Sequence, residues 1–185
     1  MLRQYTAIMT KNEAARWGTA ALLALILYSG CGSTLPSGRS HPADPTETGW
    51  VSRSVFQQPL YAPFRVGYDT ARVAQEFLPL LRSTSGGITV TVFFGGWCDD
   101  SRREVPRFLK VADAAGIADS AIRFYALDRT KKSADGLTER FAIEKVPTFI
   151  VLKGGEEVGR IVESPAVSME ADLLTIFAGS AARSR

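Results

Sequence analysis

The chain of 185 residues carries 45% hydrophobic and 22% charged side chains, enough for one folded domain of ordinary size plus appendages. Of its formal net charge of +3, +2 comes from Arg3, Lys11 and Arg16 against Glu13, which leaves the body of the chain near +1. No extended Lys/Arg cluster lies in that body, so nucleic acid is excluded as a partner.

Residues 19–28 form an apolar run preceded by basic residues and followed by Ser29, Gly30 and Cys31. A bilayer span needs about 20 apolar residues, so residues 1–30 read as an export signal with a short apolar core. The small residues before Cys31 resemble the lipobox of bacterial lipoproteins, in which the cysteine is lipidated and becomes the mature N-terminus. That resemblance implies a protein exported to the bacterial cell envelope, facing the periplasm and held to the membrane by lipid on Cys31. Tyr28 departs from the usual leucine three positions before the cysteine, and the other interpretation is an ordinary secretory signal with Cys31 free. Residues 31–49 are mostly Ser, Thr, Pro, Gly and charged residues and read as a tether. The single histidine, His41, falls in this tether, so neither histidine catalysis nor a zinc site is expected in the domain, and no metal or cofactor is implied.

Residues 50–67, with Trp50, Phe56, Leu60 and Phe64 interrupted by Pro59 and Pro63, read as an irregular arm or edge strand. Asp69 or Thr70 is placed to cap a helix whose apolar face is Val73, Ala74, Phe77, Leu78 and Leu81, with Pro79 bending or ending it. Residues 88–94 are a β-branched and aromatic run typical of a central strand, and Gly95 and Gly96 permit a tight exit to Trp97 and Cys98. A helix follows, with Asp99 and Asp100 in its first turn, Pro106 inside it and a buried stripe of Val105, Phe108, Leu109 and Ala112. Further on lie a strand over 121–127, a short helix bearing Leu137 and Phe141, and a strand after Val146-Pro147-Thr148. Gly154 and Gly155 turn it into a partner strand over 158–162. The last helix is capped by Ser168, turns Leu173, Leu174 and Phe177 inward and ends at Gly179; the tail beyond is frayed.

Helix, strand, helix, strand, helix, hairpin, helix implies an α/β fold with a mixed central sheet covered by helices on both faces. Four features in register, Trp97-Cys98 after a strand, Pro106 eight positions later, Val146-Pro147-Thr148 before a strand and the Gly154-Gly155 hairpin, resemble the thioredoxin superfamily over residues 68–180. The resemblance implies a thioredoxin-like three-layer sandwich, a cis bond before Pro147 and a groove in which Trp97, Val146 and Pro147 meet extended substrate. Two positions depart from the family: Ser101 stands where a second cysteine is usual, and Val92 where thioredoxins carry a buried aspartate. Both departures argue against dithiol reductase chemistry.

One thiolate at Cys98 is able to attack a substrate disulfide and form a mixed disulfide, which the substrate's own thiol or an outside thiol must release. That implies isomerase-like exchange with cysteine-containing proteins or low-molecular-weight thiols, with Ser101 placed to hydrogen-bond the thiolate. Arg102 and Arg103 favour the anion, whereas Asp99 and Asp100 oppose it. Two other functions remain open: a non-catalytic binding module of the same fold, and a peroxide-sensing thiol.

Overall fold

A five-stranded mixed sheet organises the computed structural model, which describes residues 47–183. Residues 1–46, which include the segment expected to be an export signal, Cys31, His41 and most of the expected tether, lie outside the described residues. The strands are β1 Gly49–Val51, β2 Ile88–Phe94, β3 Ile122–Ala126, β4 Thr148–Lys153 and β5 Glu156–Val162, in the spatial order β1-β3-β2-β4-β5. Only β2 and β3 run parallel; β1 is antiparallel to β3, β4 to β2, and β5 to β4. Every side chain of β2 except Thr89 is buried, as an apolar central strand requires. The β4–β5 reversal is made by Gly154 at φ +62° and Gly155 at φ +88°, the left-handed pair that a two-residue hairpin needs.

The helices are α1 Ala62–Thr70, α2 Leu78–Thr84, α3 Asp99–Ala115, α4 Leu137–Arg140 and α5 Met169–Arg183. The larger core lies on one face of the sheet, where Phe64 of α1, Leu81 of α2, Val105 and Phe108 of α3, and Leu173 and Phe177 of α5 meet alternate residues of the strands. On the other face a smaller core joins Phe93, Tyr125, Leu127, Ile143, Val146 and Ile150 to Leu137 and Phe141 of the α4 region, and to Trp97 and Cys98. Among the described residues no helix is long and apolar enough to cross a membrane.

Three expectations from the sequence are corrected. Asp69 and Thr70 end α1 instead of capping the next helix, and the chain is extended at 71–74 before a 3-10 turn and α2. The cause is proline: Pro63 and Pro79 each occupy the first turn of a helix, where the missing N–H costs nothing, so they start α1 and α2. The terminal helix also runs through Gly179 to Arg183. Its start is as expected, with Ser168 Oγ accepting the Ala171 N–H at 3.1 Å.

The arm before α1 is an edge strand followed by 3-10 turns, and it is tied to the end of α3 by charge. Arg53 donates to Asp113 at 2.8 Å and also pairs with Asp119, and the Tyr68 hydroxyl donates to Asp113 at 2.6 Å. Burial pushes the Asp113 pKa up, but the bonds from Arg53 and Tyr68 outweigh it and hold this carboxyl below the usual range. A folded-state value below the unfolded value of about 3.9 means that the stabilisation is fully present above that pH and is lost as pH falls through the folded value. Solvent screening limits it to about 1 kcal/mol. In a pH series of urea midpoints, Arg53→Met is therefore expected to trail wild type at pH 7 and to converge with it in strong acid. A constant gap across the series would assign the effect of Arg53 to packing.

Candidate functional site

At the C-terminal end of β2 the chain leaves the sheet through Gly95 and Gly96. The Trp97 indole folds back over this exit and donates from Nε1 to the Leu127 carbonyl at the end of β3, 2.9 Å away. Gly95 makes that possible, because a Cβ there would lie 2.6 Å from Trp97 Cε2. The Arg129 guanidinium stacks over the same indole at 5.0 Å.

Cys98 occupies the N-cap of α3 with extended backbone angles, and its N–H donates to the Gly95 carbonyl at 3.0 Å. The residue is partly exposed and carries the one free thiol among the described residues. The thiol donates to the Val146 carbonyl at 3.2 Å. The Val146–Pro147 bond is cis, so the two sequence-distant motifs meet here. Bonds on either side fix the Val146 loop: the Thr148 hydroxyl donates to the Lys145 carbonyl at 2.7 Å, and the Glu163 N–H to the Pro147 carbonyl at 2.7 Å.

Ser101 is fully buried, and its hydroxyl accepts the Gly95 N–H at 3.2 Å. It thus braces the turn that presents Cys98. The charges of the first turn cancel in pairs. Arg102 donates to the Gly96 carbonyl at 2.9 Å and pairs with Asp99 at 3.1 Å, while Arg103 pairs with Asp100 at 2.6 Å. The sulfur lies between the N-terminus of α3 on one side and the Val146 carbonyl on the other. Val92 is fully buried in the larger core. Among the described residues no group of three or more His, Cys, Asp or Glu side chains is arranged to hold a metal ion.

Trp97, Cys98, Ser101, Val146 and Pro147 are therefore gathered at one end of the sheet, and Cys31 lies outside the described residues. Leu127, Arg129 and Glu163 join them without having been singled out from sequence, whereas Gly95 was read there as part of the tight exit, and the bulk of Trp97 two positions on signals the need for it. Glu163 carries no such signal.

No family model matches the chain. A thioredoxin-like protein of Acanthamoeba polyphaga mimivirus is 24% identical over 99 residues, which cover 54% of this chain and 69% of that protein. A thioredoxin of Oryza sativa subsp. japonica is 30% identical over 96 residues, covering 50% of this chain and 63% of the relative. The chain is similar to thioredoxins over about half of its length. A solved Pseudomonas aeruginosa protein of unknown function aligns over 67% of this chain and 85% of its own, with a TM-score of 0.50 and 18% identity. The matches span about two thirds of the length of these two curated relatives.

Proposed function

We propose that the protein carries out monothiol thiol–disulfide exchange through Cys98. Relatives named thioredoxin support a thiol–disulfide function in general. The finer reading is carried by one observation: the thiol of a partly exposed cysteine at the start of α3 faces the Val146 carbonyl, and the position one turn on is a buried serine. In the proposed step the Cys98 thiolate attacks one sulfur of a disulfide, forming a Cys98–S bond as the S–S bond breaks. The leaving sulfur departs as a thiolate and takes up a proton. A second thiol then attacks the mixed disulfide and returns Cys98 to its starting state, so exchange or isomerisation is accomplished without net oxidation. The groove formed by Trp97, Val146 and Pro147 is assigned to the substrate chain, and the partners to cysteine-containing proteins or low-molecular-weight thiols. The apolar run before Cys31 supports an extracytoplasmic, lipid-anchored location in the bacterial cell envelope.

Incubating the full chain with oxidised glutathione is expected to add one glutathionyl group at Cys98, seen by intact mass and removed by a small thiol; Cys98→Ala adds none there. Expressed in a bacterial host, Cys31→Ala is expected to leave the membrane fraction without altering that adduct. Absence of the adduct in wild type favours the binding-module reading, which the hydrogen bond of the thiol to Val146 also suits, while a sulfenic acid at Cys98 after mild peroxide would point to a sensor.

A further inference from the structure

β5 ends at Val162, and Glu163 after it sits at φ +60°, in the left-handed region that favours glycine. The Ser164 N–H closes back on the Val162 carbonyl at 2.7 Å, so Glu163 is the centre of a three-residue turn of the rare, strained hand. Lys131 and Ala142 share a positive φ. Glu163 differs from them in its contacts, which reach both neighbours of Val146. Its N–H donates to the Pro147 carbonyl at 2.7 Å, and its carboxylate receives the Lys145 ammonium at 2.7 Å. Between those two anchored residues lies the carbonyl that takes the Cys98 thiol. The Glu163 N–H shares a peptide plane with the Val162 carbonyl, and the left-handed turn at 163 folds the Ser164 N–H back onto that carbonyl, which holds the plane against Pro147. The same turn is held from α3, where Arg103 donates to Ser164 Oγ at 3.0 Å.

We propose that Glu163 is a positioning residue for the Cys98 site: its left-handed turn holds Pro147, with the solvent-exposed pair to Lys145 a minor addition, so that the Val146 carbonyl stays against the sulfur. The inference rests on the exchange reading for its consequence in rate, and on geometry alone for its consequence at Cys98. The carboxylate also holds the Lys145 pKa above its usual range, with Glu144 and then Asp100 adding to the effect. A strained turn at the rim of a reactive thiol is where such distortion is retained, because the surrounding bonds over-determine it.

The test compares full-length Glu163→Val, which resists the left-handed turn, with Glu163→Gly, which accepts it. Glu163→Ala serves as a milder block if the valine variant does not fold. The Cys98 amide and Cβ resonances are expected to move in the valine or alanine variant and to return close to wild type in the glycine variant. Mixed-disulfide formation with a cystine-containing model peptide is expected to fall about tenfold and to be largely restored by glycine. Unmoved Cys98 resonances in the blocking variant, or a glycine variant displaced as far as valine, would overturn the proposal. Because the resonances are read without any exchange, a wild-type protein that forms no mixed disulfide counts against the exchange reading alone and leaves this test standing.

Discussion

Replacing Phe56 by alanine is expected to lower the free energy of unfolding by about 3–5 kcal/mol. Phe56 belongs to the arm, yet it is only 4% exposed and its ring lies 5.1–5.8 Å from those of Tyr61, Phe64, Phe94 and Phe124. Those neighbours come from the arm, α1, β2 and β3, so one side chain joins the added N-terminal segment to the central sheet. Its removal leaves a hole that four ring systems on four different segments cannot close together. Against a typical total of about 5–15 kcal/mol, the loss is large. Urea unfolding followed by far-ultraviolet circular dichroism measures it, and a loss below about 1 kcal/mol would show that the arm rests on the domain without completing its core. Because Phe94 leads directly into Gly95, the same packing also steadies the start of the site.

The second large effect is expected at Gly95. With alanine there, the new methyl and the Trp97 ring would compete for the same space, at 2.6 Å from Cε2 and 2.8 Å from Nε1. The indole has to rotate outward, breaking its bond to Leu127 and its stack with Arg129. Gly95→Ala is therefore expected to shift tryptophan emission to longer wavelength and to slow mixed-disulfide formation at Cys98 at least about tenfold. Trp97→Phe identifies which indole reports the change, since Trp17 and Trp50 also emit. An exchange rate equal to wild type in Gly95→Ala would mean that the indole only covers the exit of β2 and takes no part in presenting the thiol.

Strong local periodicity made most of the domain legible in the sequence. Ile88–Phe94 is the strand that was expected, residue for residue, and the stripe of Val105, Phe108, Leu109 and Ala112 is buried in α3. The meeting of Cys98 with Val146 and Pro147 was available only through family resemblance, since 48 residues separate the two sides of that bond. Elsewhere periodicity misled. Val73, Ala74, Phe77, Leu78 and Leu81 have helical spacing, but Pro79 sets the true start one turn before Leu81 and leaves Val73 and Ala74 extended. The sequence offered no trace of Glu163, because a left-handed glutamate contradicts its own preference and is held by Lys145 and Pro147 in the loop before β4. Ser101 was visible as the substituted position, but its bond to the Gly95 N–H depends on a turn whose shape no spacing encodes.

The two margins of the sheet have a consequence for crowding. One margin is β1, only three residues long, and the other is β5, whose pairing with β4 slips at Val151/Leu152 and whose first residues, Glu156 and Glu157, are exposed acids. A short margin and a charged, irregular one are poor templates for another copy's strand. Neighbouring molecules packed densely on a surface would thus meet without zipping into a continuous ribbon, and each thiol would remain separately available to whatever approaches it.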